Sequence, residues 1–276
     1  MRSPKPVLTA SLLPGLLEHL IEVLETLEPE EWDAPTACPG WSVHDLAAHI
    51  LGDHVSQLSI GRDGYQRSWI VADEWDDLVR ALNELNGEWV QAMKRMSPRL
   101  MIDLLKSTGC LANQYLQSLD PHEVGPVVGW ASPQPAPAWL HIAREYTEYW
   151  HHQQQIREAV GRPLLTDPHW FAPVLATFVH GAPRAYSDVA APMGTTVRVT
   201  ISSASGGVWL VVRGDPGWAL YEDEPIVPAA HVTIDEVDAW KVFTKSINGT
   251  DMEARVLIEG DWELGSKVLN TVSIIA

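Results

Sequence analysis

The sequence has few cysteines, few basic residues and no long apolar run. Its 276 residues include two cysteines, Cys38 and Cys110. Two cysteines can supply neither a disulfide framework nor a zinc site built from cysteine alone, so a reducing cytosol is the expected compartment. Only 19 basic residues stand against 36 acidic ones, and the formal net charge is -17. That charge argues against nucleic acid or an anionic membrane as a partner.

No segment has the composition of an export signal or a membrane span. The apolar stretch that follows the basic first residues is interrupted by Pro14, Glu18 and His19, so we predict neither. What the sequence does contain is 46% apolar residues, including 13 tryptophans. This is ample for a packed core, and the length suits one large domain or two of ordinary size.

Apolar residues at helical spacing predict a helical bundle over residues 1–166. The predicted helices cover residues 8–27, a segment that begins after Ser42, and residues 73–96, 98–119 and 139–161. Ser42-Val-His-Asp45 has the form of a capping box, which places the start of the second helix. Residues 120–137 are rich in proline and are predicted to be a long loop. A bundle is the natural packing for such helices.

The pattern changes after residue 166, where we predict an α+β domain over residues 167–276. A helix over 171–188 is followed by β-rich runs separated by glycine-containing turns, at residues 196–201, 207–213 and 218–221. Consecutive hairpins predict an antiparallel sheet. Two further strands at 230–234 and 254–258 and two helices at 235–245 and 262–269 complete the domain. The fold class is therefore α+β.

The sharpest chemical signal is a carboxylate and an imidazole one helical turn apart. Glu148 and His152 are spaced i and i+4 on the helix over 139–161, so both project from one face. Such a pair can bind a metal ion if a third ligand comes from another helix, and His49 is the best candidate. Two imidazoles and one carboxylate are the ligand set of catalytic zinc with an open position. The alternative is a solvated helix face that binds no metal.

Two neighbouring histidines complicate this assignment. His151 is spaced i+3 from Glu148, so helical spacing barely separates it from His152. His54 lies about 140° around the helix axis from His49 and is predicted to be exposed. The sequence has no glycine-rich phosphate loop, His-Glu-x-x-His or Gly-x-Ser-x-Gly motif. Cys38 has no assignable partner for nucleophilic chemistry, and we expect it to pack beneath its loop.

A family resemblance supports the metal hypothesis. The stretch Thr36-Ala-Cys-Pro-Gly-Trp-Ser-Val-His-Asp-Leu-Ala-Ala-His49, together with Glu148-x-x-x-His152, resembles the mycothiol-dependent maleylpyruvate isomerase family, a branch of the DinB-like metal-binding helical bundles. Residues 233–245 and 258–261 look like that family's second domain, which is similar to sterol carrier proteins. The resemblance implies His49, Glu148 and His152 as the metal ligands. Many family members have aspartate where this chain has Gln155, and a neutral amide hydrogen-bonds an imidazole without supplying charge.

The resemblance also implies an activity. It implies an enzyme that binds a divalent metal ion, with zinc the first expectation, and mycothiol or another low-molecular-weight thiol. The thiolate would add to a small electrophile of maleylpyruvate type, rotation would follow, and elimination would release the trans isomer. An S-transferase would stop at the adduct. An anionic substrate needs a cation, for which the family suggests Arg80 and then Lys245, although either can be a solvated surface cation.

Two other functions stay open at this point. A DinB-like metal-dependent enzyme could use another thiol, or could use water as a hydrolase. The chain could instead be a non-catalytic protein that binds an apolar ligand in its second domain and has a structural metal. The partners expected in every case are small molecules, and the sequence does not define the oligomeric state.

Overall fold

In a computed structural model, the protein is described over residues 1–65, 75–247 and 249–273. The chain divides into two compact units. The helical unit comprises residues 9–120 and 145–165, and the mixed unit comprises residues 1–8, 121–144 and those from 166 onward. The domain boundary that we predict between residues 166 and 167 stays a prediction.

Five long helices form most of the helical unit. The fifth helix belongs to this unit only from Glu145 onward. They are α1 (Leu13–Glu25), α2 (Val43–Ser56), α3 (Trp75–Met93), α4 (Pro98–Ser118) and α5 (Ala138–Ala159). Four of them fall within segments that the apolar periodicity predicts, and α5 begins one residue before its predicted segment; residues 73 and 74 of the third predicted helix lie outside the described residues. The core of this unit is formed by apolar side chains that are at most 2% exposed, among them Leu16, Leu24, Leu46, Ile50, Leu105, Leu116, Tyr146 and Trp150.

The start of α2 is fixed by the predicted capping box. The Asp45 backbone N–H donates to the Ser42 hydroxyl oxygen at 3.3 Å, and the Ser42 backbone N–H donates to the Asp45 carboxylate at 3.0 Å. Both bonds satisfy N–H groups that the first turn of a helix leaves without helical partners. Because the start is fixed, the positions of His49 and Asp53 along α2 are fixed as well.

The prediction that His54 is exposed is wrong. His54 is 2% exposed, and its ring lies over Gly109 of α4, where a β-carbon would come within 2.8 Å of the His54 Cε1 atom. The Thr108 hydroxyl donates to the Leu104 carbonyl at 2.7 Å, so it accepts from the His54 Nδ1–H at 3.1 Å. The missing side chain of Gly109 makes the space that buries this histidine.

The mixed unit combines short helices with one sheet. Its helices after α5 are α6 (Pro168–Phe178), α7 (Ala182–Ala185), α8 (Glu236–Phe243), α9 (Gly249–Glu253) and α10 (Trp262–Ser266). The predicted helix over 171–188 is divided, because a 3-10 turn at Val179–Gly181 separates α6 from α7. Pro183 lies in the first turn of α7, where its missing N–H costs no helical hydrogen bond. The short α9 was not predicted.

The sheet confirms the predicted α+β class. Its strands are β1 (Thr196–Ser202), β2 (Gly207–Arg213), β3 (Trp218–Glu222), β4 (Ala230–Asp235) and β5 (Val256–Gly260), in the order β3-β2-β1-β4-β5. Three pairings are antiparallel, and β1 pairs in parallel with β4. The succession of turns does not predict this parallel pair, because β4 reaches β1 by a crossover from β3. No helix in the described part of the chain is long and apolar enough to cross a membrane.

Candidate metal centre

The helical unit brings His49 of α2 together with Glu148 and His152 of α5. The two imidazoles are 8% and 7% exposed, and their ring centroids are 4.6 Å apart with the rings perpendicular. The Nε2 atom of His152 lies 3.5 Å from Oε2 of Glu148. The three side chains that sequence spacing and resemblance select therefore share one buried location within this unit.

The donor atoms can be compared with what a metal ion requires. Two ligands that each lie about 2.0–2.2 Å from a tetrahedral zinc ion are roughly 3.3–3.6 Å from each other. The 3.5 Å separation between His152 Nε2 and Glu148 Oε2 lies in this range. Over the described ranges, no group of three or more His, Cys, Asp or Glu side chains is arranged so that it could hold a metal ion as it stands. The fit therefore rests on the chemistry of the donor set and on this one spacing.

Gln155 determines which nitrogen of His152 is available. The Gln155 Oε1 atom lies 2.8 Å from His152 Nδ1, and Gln155 is 5% exposed. A carbonyl oxygen only accepts hydrogen bonds, so Nδ1 carries the proton and Nε2 faces Glu148. Outer hydrogen bonds of this kind commonly orient metal-binding histidines. His151 is buried beside His152 with its ring centroid 5.4 Å away, and His152 Nε2 is the nitrogen that lies 3.5 Å from Glu148.

The two imidazoles have opposite charge preferences in the absence of a metal. Burial, together with the neighbouring His152, lowers the pKa of His49 to about 3, although Glu148 acts in the opposite direction. His49 is therefore neutral at pH 7, as a metal ligand must be. Burial alone would lower the pKa of His152, but Cys38 and Glu148 raise it to about 10. A divalent cation bound next to Glu148 would supply the positive charge that the proton on His152 supplies in the metal-free protein.

Asp53 is a nearby acidic residue that our sequence analysis missed. Its Oδ2 atom lies 3.6 Å from His49 Nε2, one turn further along α2. The centre thus contains two pairs of imidazole and carboxylate at i and i+4, one on each helix. The spacing rule that selected Glu148 and His152 would have found Asp53 if it had been applied from His49 onward.

The two cations suggested for substrate binding each have a partner within their own unit. Arg80 is exposed on α3 and forms an ion pair with Asp77, and both belong to the helical unit. Lys245 belongs to the mixed unit, where its ammonium group donates to the Leu269 carbonyl at 2.6 Å and burial lowers its pKa. Both assignments stay predictions.

A cavity of about 700 Å³ lies in the helical unit at the start of α2. Its lining includes Trp32, Trp41, His44 and Lys94. Trp41 also packs against His49, with ring centroids 5.2 Å apart. One indole therefore borders both the cavity and a candidate ligand.

Comparisons with known proteins agree with this fold. The family described as mycothiol maleylpyruvate isomerase N-terminal domain matches residues 13–157. A crystal structure of a point mutant of mycothiol-dependent maleylpyruvate isomerase is similar over 91% of both chains, with a TM-score of 0.54 and 12% identity. A second crystal structure of mycothiol-dependent maleylpyruvate isomerase is similar over 84% of this chain and 86% of the other, with a TM-score of 0.51 and 12% identity. No curated protein matches significantly. At 12% identity the solved structures establish the fold, and the match over residues 13–157 shows that the chain belongs to the mycothiol maleylpyruvate isomerase N-terminal domain family.

Proposed function

We propose that the chain is a metal-dependent enzyme that uses a low-molecular-weight thiol, with mycothiol the first candidate, to isomerise a small electrophile of maleylpyruvate type or to transfer the thiol to it. One observation carries the proposal. The hydrogen bond from His152 Nδ1 to Gln155 directs Nε2 toward Glu148, and the neutral His49 lies against the same ring. Two solved structures of the same fold are mycothiol-dependent maleylpyruvate isomerases, which supports the choice of thiol and substrate.

Zinc is the metal that this donor set favours. Two imidazole nitrogens and one carboxylate oxygen form a common catalytic zinc site, and they leave one position open. When bound, a divalent metal would stabilise the thiolate form of a thiol and so supply a nucleophile at neutral pH. His49 and His152 would hold the metal as neutral donors and Glu148 as an anion.

The protein's own contribution is burial and orientation. His49 and His152 are each more than nine-tenths buried, so little water reaches their ring nitrogens. A dry environment strengthens the attraction between Glu148 and a cation. The hydrogen bond that His152 Nδ1–H donates to Gln155 Oε1 fixes the ring plane of His152, so the metal would not have to select one rotamer among several. These features would limit the rearrangement of His152 that metal binding requires.

The cavity beside Trp41 supports a small-molecule ligand. Its volume of about 700 Å³ lies within the roughly 300–1,000 Å³ usual for such pockets. We propose Arg80 and Lys245 as groups that bind the carboxylates of an anionic substrate. Since Lys245 also bonds the Leu269 carbonyl, a substitution there is expected to affect stability as well as substrate binding.

The proposed compartment rests on the state of the two cysteines. Cys38 and Cys110 are both free thiols, which agrees with a reducing cytosol. We propose a cytosolic enzyme whose partners are a thiol, a substrate and a metal ion.

The direct test is an isomerisation assay with zinc-loaded protein, maleylpyruvate, and mycothiol either present or absent. We expect turnover that requires the thiol and is lost in His49→Ala, Glu148→Ala and His152→Ala. His169→Ala, an exposed histidine of α6 in the mixed unit, serves as the control and should retain activity. Cleavage of the substrate by water without thiol would favour a hydrolase. A folded protein that is inactive with every thiol and unfolds when its metal is removed would have a structural metal instead.

A further inference from the structure

A short turn that precedes α2 contacts both candidate imidazoles. We define the Cys38–Trp41 turn as the four residues from Cys38 to Trp41. The Trp41 N–H donates to the Cys38 carbonyl at 3.0 Å, and Gly40 has a φ of 79°. Proline at the second position and a positive-φ glycine at the third are typical of a type II turn. The Thr36 hydroxyl donates to the Trp41 carbonyl at 2.8 Å and accepts from the Cys38 N–H at 3.2 Å, so the turn is held from both ends.

The last residue of the turn packs against His49. The Trp41 indole lies 5.2 Å from the His49 ring, with the two planes tilted by 57°. An indole in this position limits the rotation of the imidazole. The turn therefore constrains the ligand contributed by α2.

The first residue of the turn reaches the ligand contributed by α5 through Gln155. The Cys38 thiol donates to Gln155 Oε1 at 3.4 Å, and the same oxygen accepts the His152 Nδ1–H at 2.8 Å. A carbonyl oxygen has two lone pairs, so these two donors complete its hydrogen bonding. The thiol thus helps to keep the oxygen of this amide, rather than its NH₂ group, facing His152.

The orientation of that amide matters for metal binding. If the Gln155 amide rotated by half a turn, its NH₂ group would face His152 Nδ1. The Nδ1 atom of a neutral ring would then have to accept, and the proton would move to Nε2. An Nε2–H group has no lone pair for a metal ion. A donor at position 38 therefore favours the tautomer that can bind a metal.

We propose that the Cys38–Trp41 turn is a positioning device that sets the ring orientation of His49 and the tautomer of His152. The inference rests on the proposed function, because the orientation of the His49 and His152 rings has a functional role only if these rings bind a metal ion. Cys38 acts on His152 through Gln155 as well as through its own interaction with that ring, and it is a positioning residue. It is neither a nucleophile nor simply a space-filling group beneath its loop.

Four variants test this. Cys38→Ala removes the donor, Cys38→Ser restores one, and Gly40→Ala strains the turn through its positive φ without a clash, since a β-carbon there meets nothing within 4 Å. Cys110→Ala removes the exposed free cysteine of α4 and is the matched control.

Three measurements compare these variants. Zinc affinity is measured by competition with a chelating dye, and cobalt-loaded samples report ligand geometry in their visible spectra. Nitrogen-edited NMR of the metal-free protein follows the His152 Nδ1–H proton, assigned through its absence in His152→Ala.

We expect Cys38→Ala and Gly40→Ala to lose about tenfold or more in zinc affinity, as outer hydrogen-bond partners usually do. Their cobalt spectra should change and their His152 Nδ1–H signals should shift or exchange faster, whereas Cys38→Ser should recover toward wild type and Cys110→Ala should match it. An unchanged Nδ1–H signal, or an unchanged affinity with an unchanged cobalt spectrum, in Cys38→Ala would overturn the positioning role. If the wild type binds no metal, the proposed function fails, and the NMR comparison still decides separately whether the turn orients His152.

Discussion

His152 presents its two ring nitrogens to two different residues of the same helix. Nδ1 lies 2.8 Å from Oε1 of Gln155, and Nε2 lies 3.5 Å from Oε2 of Glu148. One nitrogen is thus used to hold the ring in place and the other is directed toward a carboxylate. This division is what a metal-binding histidine requires, because only the nitrogen without a proton can be a ligand.

Replacing Gln155 tests this division. Gln155→Leu removes the acceptor for the Nδ1 proton, so the ring loses its preferred tautomer and orientation. We expect zinc affinity to fall about 10- to 100-fold while the far-ultraviolet circular dichroism is unchanged. Gln155→Glu keeps an acceptor and adds charge that makes the imidazole more basic, so it should retain affinity. Gln114→Leu, on the exposed side of α4, is the control, and equal affinities for Gln155→Leu and wild type would contradict the role of Gln155.

His54 should make the folded protein sensitive to mild acid. Burial lowers its pKa to about 4 in the folded state, whereas an unfolded imidazole titrates near about 6.5. Burial of the neutral ring therefore costs the folded protein no stability above about pH 6.5. As the pH falls toward about 4, the free energy of unfolding decreases, and the total loss at about pH 4 is roughly 3 kcal/mol. His54→Asn keeps a donor for Thr108 but does not titrate, so urea unfolding should show a shallower decrease in stability over this pH range. The exposed control His169→Asn should behave like wild type, and a wild-type slope in His54→Asn would show that His54 does not contribute.

Two helical glycines should respond in opposite ways to the same substitution. A β-carbon at Gly109 would lie 2.8 Å from atoms of both His54 and Leu17, whereas one at Gly87 of α3 would meet nothing within 4 Å. Gly87→Ala should therefore stabilise the protein by about 0.5–1 kcal/mol through helix propensity. Gly109→Ala should destabilise it by about 1–3 kcal/mol because the core is overpacked. Thermal unfolding of both variants checks the pair, and a stabilised Gly109→Ala would show that His54 does not pack there.

Substitution of Arg80 should affect binding of an anionic substrate and leave the fold unchanged. Arg80 is exposed and paired with Asp77, and exposed pairs contribute little to stability. If it binds a substrate carboxylate, Arg80→Gln should raise the KM about tenfold, the loss expected for one charged hydrogen bond. Arg99→Gln, another exposed arginine in the helical unit, should leave the KM unchanged. If the KM values of both variants equal that of the wild type, Arg80 does not bind the substrate.

Helical periodicity was sufficient to predict the long helices of the helical unit, and helical spacing selected side chains of the candidate site that the structure brings together. The capping box at Ser42 and the i, i+4 pair at Glu148 and His152 are local patterns, and local patterns can be read from sequence. The burial of His54 was missed because it depends on Gly109, which is 55 residues further along the chain. The parallel pairing of β1 with β4 was missed for the same reason. Contacts between distant segments are set by packing rather than by local propensity.

Metal binding tests the central claim most directly. We would measure zinc content by elemental analysis, and zinc uptake after chelation, for wild type and for His49→Ala, Glu148→Ala and His152→Ala, none of them purified on a metal-affinity column. The account predicts close to one equivalent in the wild type and its loss in all three variants, with each fold intact by circular dichroism. A wild-type protein that contains no metal and takes up none, or three variants that bind zinc as tightly as wild type, would contradict it.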